Sequence, residues 1–166
     1  LRSVKFDKKR LTASTNVVEL VAQHDTLLLV TPSAFVSDIL DQLSNEQLAG
    51  KKIISAIKGV EPNSLKIVGE YLFENKGVSQ DDFGVITGPC HAEEVAQEKL
   101  SYLTFASTNA VFCEKMCVAL DCDYIKVTPS ADIYGTEISA VLKNVYAIAA
   151  GMCHSLGYGD NFQAVL

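Results

Sequence analysis

The stretch Asp25-Thr-Leu-Leu-Leu-Val-Thr31 is an apolar run that Pro32 ends. A short apolar run without alternation is typical of a β-strand that is buried on both faces of a parallel sheet. Ser33 follows at a position where it can cap a helix, and helical periodicity continues to about residue 43. The stretch therefore predicts a buried strand, a sharp turn and a helix.

The same unit recurs along the chain, because short apolar runs alternate with segments of helical periodicity. Strands are predicted over residues 25–31, 52–57, 83–87, 100–107 and 122–128. Helices are predicted over residues 14–23, 33–43, 63–73, 91–97 and 109–120. This alternation predicts an α/β fold, in which helices cover the faces of a parallel sheet.

A long helix is predicted after the last strand. Neither Pro nor Gly interrupts residues 136–150, and Gly151 can end or loosen the helix. Apolar residues recur at steps of three and four, so one stripe of the helix is expected to face a core. The stripe consists of Ile138, Val141, Leu142, Val145, Ile148 and Ala149. The alternation gives way to helices near residues 128–132, which predicts a domain boundary there.

The composition is that of an ordinary globular chain and excludes some classes of function. The 166 residues are 48% hydrophobic and 20% charged, with a net charge of −6. This acidic balance, with no long basic block, argues against nucleic-acid binding. No apolar run reaches 18 residues, so no membrane span is expected, and no signal peptide is visible. The chain lacks an initial Met and stops inside an apolar pattern, which indicates a piece of a longer protein.

The cysteines favour reduced thiols. There are five, an odd number without regular spacing, and this fits a cytoplasmic protein better than a disulfide framework. Cys113, Cys117 and Cys122 together with His154 match no zinc pattern. We therefore expect thiols that fill the core and no metal site.

Candidate site residues follow the predicted strands, because ligands of an open α/β sheet bind beyond the carboxyl ends of its strands. Lys58 lies there beside Gly59, which allows a phosphate or carboxylate to approach the backbone; the alternative is a loop lysine in water. Gly88-Pro-Cys90-His-Ala92 opens a helix whose N–H groups can bind an anion, although a plain turn explains it equally well. Cys90 and the adjacent His91 do not suit a nucleophile and its base.

Lys143 and Asn144 interrupt the apolar pattern of the long helix. A lysine costs free energy to desolvate unless a partner compensates it, so Lys143 is a candidate for a catalytic ammonium or an anion contact. The alternative is a lysine on the solvent face, which helix statistics favour.

Three segments match a known family in order and spacing over most of residues 12–166. They are Ile54-Ser-Ala-Ile-Lys58-Gly-Val-Glu61, Gly88-Pro-Cys-His-Ala92-Glu-Glu-Val-Ala96, and Glu137 to Gly151 around Leu142-Lys143-Asn144-Val145, followed by Gly157-x-Gly159-Asp-Asn161. Together they resemble the bacterial type of NAD(P)-dependent sn-glycerol-3-phosphate dehydrogenase. Each segment alone is modest evidence, whereas the three in order are specific.

The resemblance implies roles for individual residues. Lys143 would exchange a proton with the substrate hydroxyl or carbonyl, and Asn144 would help to hold the substrate. Lys58 would contact both substrate and cofactor, while Gly88 and Cys90 fall at substrate contacts and Ala92 at a dinucleotide contact. The family usually has Ser or Thr in place of Cys90, and a thiol is a weaker hydrogen-bond donor.

The reaction that the resemblance implies interconverts dihydroxyacetone phosphate and sn-glycerol 3-phosphate, which would supply phospholipid synthesis. The cofactor would be NAD or NADP and would supply the hydride. We expect burial and the neighbouring charge of Lys58 to lower the pKa of Lys143, so that it can deliver a proton to the carbonyl. The alternatives are a related hydroxyacid or sugar-acid dehydrogenase and a non-catalytic α/β binding module.

The resemblance also implies that parts of the enzyme lie outside this chain. No G-x-G-x-x-G fingerprint follows a strand here. Residues 1–129 would form a partial Rossmann-like domain that lacks its first βαβ unit, and residues 130–166 would begin an all-α substrate-binding domain. We therefore expect this chain alone to be inactive. An exposed sheet edge favours pairing between copies, so a homodimer is expected.

Overall fold

The computed structural model describes residues 9–165, except for the side chain of Gln163. Its strands are β1 (Thr26–Leu29), β2 (Lys52–Ser55), β3 (Phe83–Thr87), β4 (Ser101–Ala106) and β5 (Ile125–Ser130). Its helices are α1 (Val17–Gln23), α2 (Val36–Leu40), α3 (Asn45–Leu48), α4 (Val68–Asn75), α5 (Ala92–Val95), α6 (Ala110–Leu120), α7 (Ile133–Ser155) and α8 (Asp160–Val165). Short 3₁₀ turns precede α2 and β3.

The strands form one sheet in the order β1-β2-β3-β4-β5. β1, β2 and β3 are parallel, and β5 is parallel to β4, but β4 runs antiparallel to β3. The predicted α/β fold with a mostly parallel sheet is confirmed, while the expectation of a wholly parallel sheet is wrong at this pair. Residues 88–100 contain only the four-residue helix α5, too little to carry the chain back across the sheet for a parallel crossover. The chain therefore turns and returns beside β3.

β1 lies at the edge of the described sheet, and this changes its burial. Leu28 is 55% exposed, and Val30, just after the strand, is 65% exposed. The prediction of a strand buried on both faces is therefore wrong for the described residues. An unbroken apolar run cannot distinguish an edge strand from a central one, because both have the same local sequence.

Two apolar cores pack on opposite faces of the sheet, since the neighbouring residues Ile53 and Ile54 of β2 belong to different cores. The first core lies under α1 to α4 and includes Phe83, which packs edge to face on Phe73 with ring centroids 5.3 Å apart. The second lies under α6 and includes Phe105 against Phe112 at 5.5 Å. The sheet is thus packed on both faces, and the loops at its ends lie between these two cores.

The long helix α7 packs on the sheet through a different face from the predicted one. Its buried residues are Ile133, Thr136, Glu137 and Ala140. In the predicted stripe, Val145 is 59% and Ile148 65% exposed. The prediction that this stripe faces a core is wrong for the described chain. Periodicity alone could not decide between two faces of the helix, and the buried face carries Ile133 and Glu137 as well as the smaller Thr136 and Ala140.

Two other predicted helices have different bounds. α4 begins at Val68, because residues 63–66 form a loop around the carboxylate of Glu61. α7 continues through Gly151 to Ser155, so this glycine does not end the helix. None of the helices among the described residues is long and apolar enough to cross a membrane.

Replacing Asn109 by alanine is expected to lower the free energy of unfolding by about 1 kcal/mol. Asn109 caps α6, since its side-chain oxygen accepts the Phe112 N–H at 3.0 Å. Urea denaturation followed by circular dichroism measures the change. Asn75→Ala, at the exposed end of α4, is the control and should stay within about 0.5 kcal/mol of the parent. Equal effects of the two substitutions would show that the cap does not stabilise the fold.

Candidate active site

The segments that follow β1, β2 and β3 meet at one edge of the sheet, because these neighbouring strands are parallel. They are residues 31–33, 58–59 and 88–90. Gly59 contacts the side chain of Ser33, and a Cβ added at Gly59 would lie 2.6 Å from the Ser33 Cβ. A residue with a side chain at position 59 would therefore push the first two segments apart.

Lys58 extends into solvent from this edge. Its side chain is exposed, and its ammonium has no ion pair or hydrogen bond among the contacts of residues 9–165. An exposed, unpaired ammonium beside a close turn is available to an anionic ligand. The structure agrees with the sequence-based position of Lys58 after a strand.

Glu61 fixes the loop after Lys58 and was not singled out by the sequence analysis as a structural residue. Its carboxylate is 1% exposed and accepts the N–H of Asn63 at 3.1 Å and both the N–H and the hydroxyl of Ser64 at 2.7 Å. The hydrogen bonds from Ser64 hold the pKa of Glu61 at about 2. A buried carboxylate that stays ionised thus fixes the chain between β2 and α4.

Gly88 and Cys90 lie against the start of β4. A Cβ at Gly88 would overlap the Tyr102 carbonyl oxygen and lie 3.0 Å from the Leu103 Cα. The Cys90 thiol donates to the Tyr102 carbonyl at 3.4 Å, and its N–H donates to the Gly88 carbonyl at 3.0 Å. Cys90 therefore ties the turn to β4 in this chain.

The expected anion site at the start of the following helix is weaker than predicted. α5 begins at Ala92 and has four residues rather than the seven of residues 91–97, and His91 gives it no side-chain cap. A single turn has only a small dipole. Its first turn also contains Glu93 and Glu94, which repel an anion. Ala92 is exposed at this position.

α7 starts beside the amino end of β3. The Ser107 hydroxyl donates to the Phe83 carbonyl at 2.8 Å, and the Ser107 N–H donates to the Ser130 carbonyl at 3.0 Å, just before the helix. Since α7 begins there and packs on β3, its later turns extend toward the carboxyl edge of that strand. That edge contains Gly88.

Lys143 and Asn144 lie on these later turns, and both are exposed. The expected burial of Lys143 is therefore not found in the described chain, because Ala140 is the last buried residue of α7. The Lys143 ammonium has no ion pair among the described residues.

Glu137 is a buried carboxyl group that the sequence analysis quoted only as part of a motif. It is 3% exposed and accepts the Gly69 N–H. Its pKa is raised to about 7, mainly by burial. The hydrogen bond from Gly69 partly offsets this rise, and the negative charge of Glu70 adds to it. Glu137 lies four residues after Ile133 and three before Ala140, so it shares the buried face of α7 with them.

All five cysteines are free thiols. Cys113 donates to the Phe105 carbonyl at 3.4 Å, and burial, followed by the neighbouring Cys113, raises the pKa of Cys117 to about 11. Within residues 9–165, no group of three or more His, Cys, Asp or Glu could hold a metal ion. The thiols of α6 therefore serve packing.

A groove of about 540 Å³ lies beside the edge strand β1, between α1 and α2. It is lined mainly by apolar residues and contains Thr31, but none of the predicted contacts at Lys58, Gly88 or Lys143. The groove thus meets the segments at the strand ends at Thr31 and does not include Lys58 or Gly88.

Comparison with models of known protein families shows which family this chain matches. Residues 1–113 match the model described as the N-terminus of NAD-dependent glycerol-3-phosphate dehydrogenase, and residues 132–166 match the model of its C-terminus. The chain belongs to the NAD-dependent glycerol-3-phosphate dehydrogenase family. The family suggested by the three sequence segments is thereby confirmed.

Individual relatives agree with the family assignment. The chain is 35% identical over 159 residues to a glycerol-3-phosphate dehydrogenase [NAD(P)+] of Oceanobacillus iheyensis, with 94% of this chain and 45% of that relative covered. It is also 35% identical over 170 residues to the protein of the same name from Latilactobacillus sakei, with 100% and 50% covered. The chain spans about half the length of the curated relatives it matches.

Solved structures show the same fold. The glycerol-3-phosphate dehydrogenase of Coxiella burnetii superposes with a TM-score of 0.83 at 25% identity, covering 99% of this chain and 50% of that one. An imine reductase of Myxococcus stipitatus superposes with a TM-score of 0.55 at 16% identity, covering 92% and 54%. The second likeness shows the fold alone.

Replacing Gly88 by alanine is expected to lower the free energy of unfolding by about 1–2 kcal/mol, because the added methyl group must displace the β4 backbone. Gly151→Ala is the matched control, since nothing lies within 4 Å of a Cβ at Gly151. This control should stabilise the exposed helix by up to about 1 kcal/mol. Urea denaturation compares the two, and a stabilised Gly88→Ala variant would contradict the close approach to β4.

Proposed function

We propose that the complete protein to which this chain belongs interconverts dihydroxyacetone phosphate and sn-glycerol 3-phosphate with NAD or NADP. The observation that supports this most is the common sheet edge of residues 58–59 and 88–90, toward which α7 extends with Lys143. These are the segments in which the chain resembles the dehydrogenase family, and they were distant in sequence.

The cofactor fits the edge of the sheet as a dinucleotide fits a parallel α/β fold, beyond the carboxyl ends of β1, β2 and β3. Contacts would come from Lys58 and from the backbone near Ala92. Gly59 has no side chain of its own, and the Ser33 side chain packs where its Cβ would lie, so the first two segments approach closely at this edge. When bound, the nicotinamide supplies the hydride.

The substrate contacts would come from residues with complementary chemistry. Lys58 and Lys143 are exposed cations without ion pairs among the described residues, and a phosphorylated substrate is an anion. Asn144 can donate from its amide, while the turn around Gly88 and Cys90 would border the substrate. Because the Cys90 thiol already donates to Tyr102, its substrate contact would be weaker than that of a serine.

The proton would move through Lys143. In the direction of reduction, the Lys143 ammonium would polarise the C2 carbonyl and donate a proton to its oxygen, while C2 receives the hydride. In oxidation, the neutral amine would take the hydroxyl proton. The exposure of Lys143 in the described chain supports a further requirement: the rest of the protein would have to exclude water around it.

The domain division that we propose places the partial dinucleotide-binding domain in residues 1–129 and the start of the helical substrate-binding domain in residues 130–166. The two family matches support it, because they leave residues 114–131 between them. The exposed edge at β1, with Leu28 and Val30, and the groove beside it offer an apolar surface for a first βαβ unit. This division makes the isolated chain inactive.

The cellular role that we propose is the supply of glycerol 3-phosphate for phospholipid synthesis in the cytoplasm. The five free thiols support a reducing compartment. A homodimer is the assembly that we propose, because β5 forms the other edge of the described sheet and an unpaired edge favours association of copies.

The test follows the absorbance of NADH or NADPH during incubation of the complete gene product with dihydroxyacetone phosphate. A 2-oxo acid and the oxidised form of a sugar acid, each in a separate reaction, test the alternative of a related hydroxyacid or sugar-acid dehydrogenase. We expect oxidation of the cofactor with dihydroxyacetone phosphate and none with this 166-residue chain alone. Turnover only with the other substrates would replace the proposed reaction, and robust turnover by the isolated chain would contradict the proposed division.

A further inference from the structure

Glu137 connects three elements that are far apart in sequence. Its carboxyl group lies 3% exposed between α7 and α4, and its two oxygens accept the Gly69 N–H at 3.0 and 3.3 Å. Gly69 is in the first turn of α4, where backbone N–H groups have no partner within the helix. The Glu137 carboxylate of α7 thus provides a hydrogen-bond acceptor for the buried Gly69 N–H of α4.

The glycine at position 69 is required by this contact. A Cβ at Gly69 would lie 2.7 Å from Glu137 Oε2 and 2.9 Å from Phe83 Cε1. Both distances are shorter than ordinary contacts, so any side chain there would separate α7 from α4 and β3. The close approach fixes α7 against α4 and β3 at the position of Glu137.

Helix geometry connects this point to the site. An α-helix completes two turns in about seven residues, with a residual angle of only about 20°. Asn144 therefore lies on the same face as Glu137, and Lys143 on the same face as Thr136, about 10 Å further along the axis. Because Thr136 and Glu137 are buried against the rest of the fold, they determine the direction in which Lys143 and Asn144 point.

We propose that Glu137 is a positioning residue, which sets the rotation and the axial position of α7 through the Gly69 N–H and thereby aims Lys143 and Asn144 at the substrate. Its kinetic consequence rests on the proposed function. The charged group that acts on Glu137 from α4 is Glu70, whose repulsion adds to burial in raising the pKa of Glu137 to about 7. A neutral carboxyl group can keep the same contact, because its carbonyl oxygen still accepts the N–H.

The first experiment compares Glu137→Ala, Glu137→Gln and the control Glu70→Gln in the complete protein. Loss of the acceptor should lower kcat about 10- to 100-fold, as expected for a catalytic group that is misplaced by about 1 Å. The Kd of NADH and NADPH should change less than twofold, since α7 does not form the cofactor edge. Glu137→Gln should restore kcat to the parent's range, and Glu70→Gln should leave it unchanged.

A second measurement does not depend on turnover. Reductive ¹³C-methylation of the lysines gives an NMR resonance for each, and loss of one resonance in Lys143→Arg assigns Lys143. We expect the Lys143 resonance to shift in Glu137→Ala and to stay in place in Glu70→Gln. If Glu137→Ala does not fold, Glu137→Leu fills the same space without an acceptor and takes its place.

The outcomes distinguish the positioning role of Glu137 from the proposed dehydrogenase function. An unshifted Lys143 resonance and a parental kcat in a folded variant without the acceptor would overturn the positioning role. A lower melting temperature alone, with both readouts unchanged, would show that Glu137 serves stability only and would also overturn it. A parent protein without activity on dihydroxyacetone phosphate would refute the proposed function, while the resonance shift would still decide the role of Glu137.

Discussion

Replacing Lys143 by alanine is expected to lower kcat for the reduction of dihydroxyacetone phosphate by a factor of about 100 to 10,000, the usual contribution of a general acid. The alanine side chain can neither polarise the C2 carbonyl nor supply the proton. Steady-state kinetics of the complete protein, with saturating NADH or NADPH, measures the effect. Circular dichroism should show an unchanged fold, because Lys143 is exposed and has no ion pair among the described residues.

A second substitution at position 143 distinguishes the contribution of the positive charge to substrate binding from the contribution of the proton to catalysis, and a substitution elsewhere is the control. Lys143→Arg keeps a positive charge but does not release a proton near neutral pH, so it should preserve substrate binding better than kcat. Lys115→Ala removes an exposed lysine from α6, away from the strand ends, and should leave both parameters unchanged. Parental kcat in Lys143→Ala would leave the family assignment standing and remove Lys143 from the chemistry.

The parent protein is expected to lose about 3 kcal/mol of its free energy of unfolding as the pH rises, and Glu137→Gln is expected to remove this loss. The value corresponds to a rise in the pKa of Glu137 from the ordinary 4.5 to about 7. Burial is the main cause, and Glu70 adds to it. The folded protein therefore binds the proton more tightly than the unfolded chain. Its free energy of unfolding should fall as the pH rises from about 4.5 through about 7 and stay level above that range.

Urea denaturation between pH 5 and pH 8 tests this expectation in the complete protein. The parent should lose stability relative to Glu137→Gln over this interval, since the amide oxygen keeps the bond from Gly69 without acquiring a charge. Glu114→Gln, on the exposed side of α6, is the control and should follow the parent at every pH. A difference between parent and Glu137→Gln that does not change with pH would contradict the raised pKa of Glu137.

Much of the fold was predictable because its signals are local. Apolar runs and helical periodicity located the five strands of the sheet and α1, α5 and α6 to within a few residues. The same alternation correctly predicted that Lys58 follows a strand. The predicted cap at Ser33 is not found, because Ser33 begins a 3₁₀ turn before α2 and neither the turn nor α2 has a side-chain cap.

Features that depend on distant partners were not predictable in this way. The direction of β4 follows from the short connection over residues 88–100, in which a seven-residue helix was expected and α5 has four residues. The exposure of β1 depends on which strands lie beside it. The buried face of α7 depends on the sheet, which accepts Thr136, Glu137 and Ala140 in place of the larger apolar stripe.

The two buried carboxyl groups illustrate the same limit. Glu61 and Glu137 both look like ordinary surface residues in sequence, because acidic side chains are rarely buried without a partner. Glu61 finds its partners within three residues, at Asn63 and Ser64. Glu137 finds its partner at Gly69, on another helix. A contact of the second kind can be identified only once the fold has brought the two helices together.

The candidate site was anticipated more through resemblance than through local chemistry. On residues alone, Lys143 was expected on a solvent face, and its exposure in the structure agrees with that alternative. The family segments gave Lys143, Asn144, Gly88 and Cys90 their proposed roles. The structure adds the common edge of β1 to β3 and the fixed direction of α7, which make these roles geometrically compatible.

The most direct measurement of the proposed reaction uses NADH and NADPH with deuterium at both C4 positions of the nicotinamide. The complete gene product is incubated with dihydroxyacetone phosphate, and the product is examined by mass spectrometry and NMR. We predict sn-glycerol 3-phosphate with one deuterium at C2, formed with at least one of the two cofactors. Unreacted dihydroxyacetone phosphate with both cofactors, or glycerol 3-phosphate without deuterium at C2, would contradict the account.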